Sequence, residues 1–197
     1  KSLVYSVAGP DGELRFRGQA LPSLASLDDA GVVLQLGTFS KTLAPGLRIG
    51  WAVGSLEVTR ALTVVKQSTD LHTATLSQRA TARLLARFDY DAHLTRLRAT
   101  YGERCQVMLE ALEAHMPEGT RWTTPDGGMF IWVELPRGMR GEDLLPRAIE
   151  QRVAFVPGSP FFAAHPRSEC IRLNFSNRPP ELIEEGMRRL ASVLAAQ

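Results

Sequence analysis

Lys41 follows a short apolar run, sits one residue after a serine, and has an arginine seven residues further on. A lysine amine forms an imine with a carbonyl only when its protonated form is disfavoured, by burial or by a nearby cation. The loop leaving a buried strand is placed to supply that burial. Thr38 and Ser40 put hydroxyls on either side of Phe39, and Arg48 offers a planar fork of donors matched to phosphate oxygens. Pro45-Gly46 is a turn signal that would return Arg48 towards Thr38 and Ser40. A reactive amine beside an anion cradle is what a phosphate-tethered aldehyde cofactor requires. The plainer alternative is a solvated surface lysine, which describes most lysines. The spacing matches neither the nucleotide P-loop nor the dinucleotide fingerprint.

Arg172 is the second candidate. It stands between Ile171 and Leu173 in a strand-like run, so it either points to solvent or meets a buried anionic partner. A carboxylate held by two parallel hydrogen bonds is such a partner. Taken alone, the alternating pattern favours a solvent-facing arginine. His72, His93, His115 and His165 are scattered without metal-ligand spacing. Gly127 and Gly128 suit a tight turn better than a ligand.

These residues need elements to hold them. Val32 to Leu36 is a short β-branched and apolar run that reads as a buried strand, and a second strand runs through Ile49, Trp51 and Val53. Helical stretches follow near 55–67 and 74–88. From 91 to 115, Leu94, Leu97, Tyr101, Cys105, Met108 and Leu112 recur at three- and four-residue spacings, which predicts one face of a long helix. Pro117 and Gly119 stop it. Arg121–Thr124 and Met129–Leu135 read as two strands around an Asp126-Gly127-Gly128 turn. A helix is expected at 142–152, strands at Val153–Val156 and Cys170–Phe175, and a closing helix at 180–196.

The 197 residues are 44% hydrophobic and 22% charged, an ordinary globular composition. A formal charge of +2, with acidic and basic residues interleaved, offers no nucleic-acid surface. No apolar stretch approaches the roughly 18–20 residues that span a bilayer. Cys105 and Cys170 form no disulfide framework, which suits a reducing, cytoplasmic setting.

The run Gly37-Thr38-Phe39-Ser40-Lys41-Thr42-Leu43-Ala44-Pro45-Gly46-Leu47-Arg48-Ile49-Gly50-Trp51 resembles the Schiff-base lysine segment of class I/II, fold-type I aminotransferases. It is closest to the 2-aminoadipate and aromatic aminotransferase branch. The resemblance implies pyridoxal 5'-phosphate as cofactor, Lys41 as its covalent anchor and proton shuttle, and Thr38, Ser40 and Arg48 as phosphate ligands. Three further segments are similar to the same family: Gly127 to Pro136, Val153 to Gly158 followed by Phe161, and Ile171 to Ser176. The last implies that Arg172 pairs with the substrate α-carboxylate. The implied fold is α/β, the C-terminal part of a fold-type I transferase. Residues 1–90 would complete the large cofactor-binding domain, 91–116 form a connecting helix, and 117–197 form a small α+β domain. The implied substrates are an amino acid and a 2-oxo acid, and the implied full-length assembly is a homodimer.

The resemblance starts at Gly12 and covers about half of a family member, since such enzymes commonly exceed roughly 300 residues. With Lys1 in place of Met, this leads us to expect a piece of a longer protein. Relatives carry an Asp-x-x-Tyr motif just before a segment like Gly12-Glu13-Leu14-Arg15-Phe16. Its aspartate pairs with the pyridine nitrogen and its tyrosine with the phenolic oxygen. Here those positions read Ala8-Gly9-Pro10-Asp11, and Tyr5 is out of register. Without that anion the cofactor is a poor electron sink, so the chain by itself is expected to be inactive. A degenerate homologue and a second chain supplying the missing part remain as readings. So does the effector domain of a transcription regulator that shares the Ser-Lys-x-x-x-Pro-x-x-Arg pattern.

Overall fold

The computed structural model describes residues 4–7 and 14–196, with side chains from residue 14 onward. The chain divides into two compact units, residues 1–98 and 99–197.

The first unit is built on a three-stranded sheet. Strand β1 (Val4–Val7) pairs in parallel with β2 (Val33–Thr38), and β2 pairs antiparallel with β3 (Gly50–Val53). Helices α1 (Leu56–Thr69) and α2 (Thr75–Leu85) follow. Ser55 caps α1 by accepting the Val58 N–H, and Lys66 pairs with Asp70 at its far end. The packing is thin. Among the described residues of this unit only Leu14, Leu34 and Leu94 are buried apolar side chains. The expectation of a fully buried first strand is therefore corrected: Leu34 is buried, but its neighbours on β2 are half-exposed. Strands with both faces covered need helices on each side, and α1 buries none of its residues. Leu56, Val64 and Val65 are 60–65% exposed.

Helix α3 (Tyr90–His115) begins in the first unit and runs on into the second. The second unit carries a four-stranded antiparallel sheet in the order β4-β5-β7-β6, formed by Arg121–Trp122, Phe130–Glu134, Cys170–Asn174 and Val156–Pro157. Alternation sends Ile131, Val133, Ile171 and Leu173 to one face, where each is almost fully buried. Helices α4 (Gly141–Glu150) and α5 (Pro180–Ala195) also contribute to the core. Ile183, Met187, Leu190 and Leu194 line α5 at helical spacing and are buried. Cys105, Met108 and Leu112 of α3 are buried in the same unit. Each such side chain contributes about 1.5–3 kcal/mol of burial free energy. The expected strand at 153–156 shrinks to Val156–Pro157, because Val153 donates its N–H to Ala148 and closes α4 instead. Among the described residues no helix is long and apolar enough to cross a membrane.

Candidate functional site

β2 ends at Thr38, and the next residues turn tightly over their own strand end. The Leu43 and Ala44 N–H groups both donate to the Phe39 carbonyl. A short 3-10 turn at Pro45–Leu47 follows, and Arg48 takes the left-handed conformation at φ 54°. A non-glycine residue held there costs on the order of 1–3 kcal/mol, and such strain clusters at ligand sites. Arg48 delivers the chain to Ile49, whose carbonyl accepts both the Phe39 N–H (3.1 Å) and the Thr38 hydroxyl (3.2 Å). The turn therefore brings the chain back beside Thr38, as the Pro45-Gly46 signal implied.

Thr38 and Ser40 come together. Their hydroxyl oxygens lie 2.9 Å apart, and Thr38 Oγ1 accepts the Ser40 N–H at 3.1 Å. The Thr38 hydroxyl has one proton: donated to Ser40 Oγ it leaves the Ser40 proton for an anion, and donated to Ile49 it draws the Ser40 proton onto Thr38 Oγ1. Arg48 Nη1 donates to the Pro45 carbonyl at 3.1 Å, within the turn, and not to either hydroxyl. Lys41 is exposed, so the burial expected for it is not found, and among the described residues no ion pair or hydrogen bond engages its amine. The cause is the thin packing of this unit: β2 is half-exposed and α1 buries none of its residues. The neighbouring Thr42 is buried, and its carbonyl takes a hydrogen bond from His93 Nε2 at 2.9 Å. A carbonyl only accepts, so the His93 proton sits on Nε2. The sequence places His93 among the scattered histidines. Fifty-one residues separate it from Thr42, and no local pattern marks such a tie.

The alternating pattern alone favours a solvent-facing Arg172, whereas the structure sets this residue of the second unit against two aromatic rings. It is half-buried, with the guanidinium carbon 4.1 Å from the Phe130 ring centre and 4.4 Å from that of Phe161. Its Nε is buried without a hydrogen-bond partner. Such an orphan costs about 1–3 kcal/mol, which the negative ring faces offset in part. Register puts Trp132, Arg172 and Val156 in one cross-strand row on the face away from the core. A groove of about 590 Å³ in the same unit contains none of the candidate residues. Its Arg167 is paired with Glu169 and Glu134, which hold the guanidinium firmly protonated. Burial pushes the Cys170 thiol up, and Cys105 is buried too, both as free thiols.

Ala8 and Asp11, where the Asp-x-x-Tyr motif was sought, lie outside the described residues. Of Tyr5 only the backbone is described, paired with Leu34. The donor set that is described suits a phosphate-bearing aldehyde: a pair of hydroxyls, an arginine on a strained turn, and an exposed lysine next in the chain to Ser40.

Known proteins resemble this chain over part of their own length. Aromatic-amino-acid aminotransferase 1 of Thermococcus litoralis is 43% identical over 94% of this chain and 44% of its own length. The structure of LysN, an alpha-aminoadipate aminotransferase of Thermus thermophilus complexed with N-(5'-phosphopyridoxyl)-L-leucine, superposes with a TM-score of 0.93 at 42% identity. The superposition covers 98% of this chain and 50% of that one. The HTH-type transcriptional regulator TauR of Rhodobacter capsulatus is 35% identical, covering 92% of this chain and 38% of the regulator. The chain thus spans half or less of the length of these relatives, and its α/β fold is that of the C-terminal portion of fold-type I aminotransferases. The profile of aminotransferase class I and II matches residues 4–190, and with it the Lys41 turn and the Arg172 strand, so the chain belongs to the class I and II aminotransferases.

Proposed function

We propose that this chain is the lysine-bearing portion of a pyridoxal-phosphate-dependent transaminase acting between an amino acid and a 2-oxo acid. The observation that carries the reading is the turn around Lys41, where the hydroxyls of Thr38 and Ser40 pair immediately before an exposed lysine. Ser40 and Thr38 would hold the cofactor phosphate by their hydroxyls, with Arg48 supplying the cation. When bound, the cofactor supplies an electron sink for the Cα–H bond and a carrier for the amino group. Lys41 Nζ would hold the cofactor and would move the Cα proton of the substrate. His93, through the Thr42 carbonyl, holds the backbone next to Lys41. Arg172 would take the α-carboxylate in a two-pronged hydrogen bond, which orients the Cα–H bond for proton removal. The whole protein would work as a cytoplasmic homodimer, and this portion alone would turn over poorly.

The test is borohydride reduction of the chain with pyridoxal phosphate, followed by peptide mass spectrometry. The pyridoxyl label should sit on Lys41 and vanish in Lys41→Ala, and a label carried by another lysine sinks the assignment. A second reading is an aminotransferase-like effector domain of a regulator, favoured by the match to TauR. The lower identity of that match, against the enzyme relatives, ranks it second. A DNA-binding head encoded upstream of Lys1 would decide for it.

A further inference from the structure

The guanidinium of Arg172 lies between two rings, with Phe130 from its own sheet on one side and Phe161 from a separate 3-10 turn on the other. A cation over one ring is common. One between two rings needs the second to be brought there, and several contacts do so. Gly158 approaches β7 so closely that a Cβ would stand 2.6 Å from Cys170 Cβ, and its N–H bonds the Cys170 carbonyl at 2.7 Å. The next residue, Ser159, donates its hydroxyl to the Glu142 carboxylate on α4. The turn is thus pinned to the sheet and to a helix. Trp132 then meets Phe161 edge-on, with ring centres 5.8 Å apart at 85°.

The consequence for recognition is geometric. Two rings this close to the guanidinium carbon crowd it, so an anion is best met along the edge where the fork of N–H groups is matched to a carboxylate. The rings also restrain a side chain that would otherwise spend rotamer entropy on each encounter. We infer that Phe130 and Phe161 are positioning residues for carboxylate recognition, holding Arg172 edge-on so that it reads the substrate carboxylate through its fork. This rests on the assignment of Arg172 to the carboxylate, and the experiment separates the two.

The full chain, labelled with ¹⁵N-arginine, is titrated with pyruvate while the Arg172 Nε–Hε signal is followed. In the wild type the signal should be displaced upfield by the ring currents and respond to pyruvate. Phe161→Leu and Phe130→Leu should each reduce that displacement and weaken pyruvate binding about 3-fold, the scale of one exposed cation–ring contact. Phe161→Tyr should restore both. Phe161 is 49% exposed, so its substitution spares the core, and unchanged signals from the rest of the chain verify the fold. A wild-type Arg172 signal indifferent to pyruvate refutes the carboxylate assignment and the proposal with it. A wild-type response that Phe161→Leu leaves unaltered refutes the proposal alone. Weakened binding that Phe161→Tyr fails to restore also overturns it, because bulk rather than a ring face would then be at work.

Discussion

Gly158→Ala is the perturbation whose cost follows most directly from the structure. The added Cβ would meet Cys170 at 2.6 Å (Cβ), 2.7 Å (carbonyl oxygen) and 2.8 Å (carbonyl carbon). Two of these atoms are backbone at the start of an interior strand and cannot swing aside. The turn must lift instead, and the Gly158–Cys170 hydrogen bond and the short β6–β7 pairing lift with it. Overpacking of this kind costs about 1–3 kcal/mol, and the lost hydrogen bond about 1 kcal/mol more. A destabilisation of roughly 2–4 kcal/mol is therefore expected for the second unit. In a unit of this size each kcal/mol lowers Tm by about 4–8 °C. Urea unfolding followed through Trp122 and Trp132 fluorescence reads the change as a lower midpoint at unchanged slope. A midpoint equivalent to less than about 0.5 kcal/mol of destabilisation, the scale of an ordinary surface substitution, would refute the reasoning.

Gly186→Ala should act in the opposite sense. Gly186 lies inside α5, and a Cβ there meets nothing within 4 Å, so a gain of about 0.5–1 kcal/mol is expected in the same urea assay. No gain would show that the helix is held there by something other than backbone propensity. Acid sensitivity should trace to Glu142, whose carboxyl is held below its usual range first by the Ser159 hydroxyl. A depressed folded value means that its stabilisation is complete above the unfolded value of about 4.5 and is lost as pH falls through the folded one. Thermal melts below about pH 4.5 should thus fall less steeply in Ser159→Ala than in the wild type. Equal slopes would remove the Ser159–Glu142 contact from the account.

The long helix was legible because its apolar residues repeat turn after turn, and Leu94, Cys105, Met108 and Leu112 are indeed buried. The strand at 153–156 was not, because a short apolar run looks alike whether it pairs or packs. Val153 and Phe155 are buried without belonging to a strand. The hydroxyl pair at Thr38 and Ser40 could be read from sequence, since two residues of separation at a strand end leave little freedom. The burial of Lys41 could not, because it depends on what covers β2 and not on β2 itself.

The sequence by itself determined the long helix, the strands flanking Lys41, the Thr38-to-Arg48 turn and the family. Those depend on local spacing and on a run of residues specific enough to be matched. Tertiary structure alone decided that His93 reaches the Thr42 carbonyl and that Lys41 lies open. It also decided that the Arg172 guanidinium lies over two phenylalanine rings. Each of those facts joins residues far apart in the chain. The place of Arg172 against Phe161 follows from strand register and from one glycine close enough to its neighbouring strand to pin a turn, and neither is written in the residues nearby.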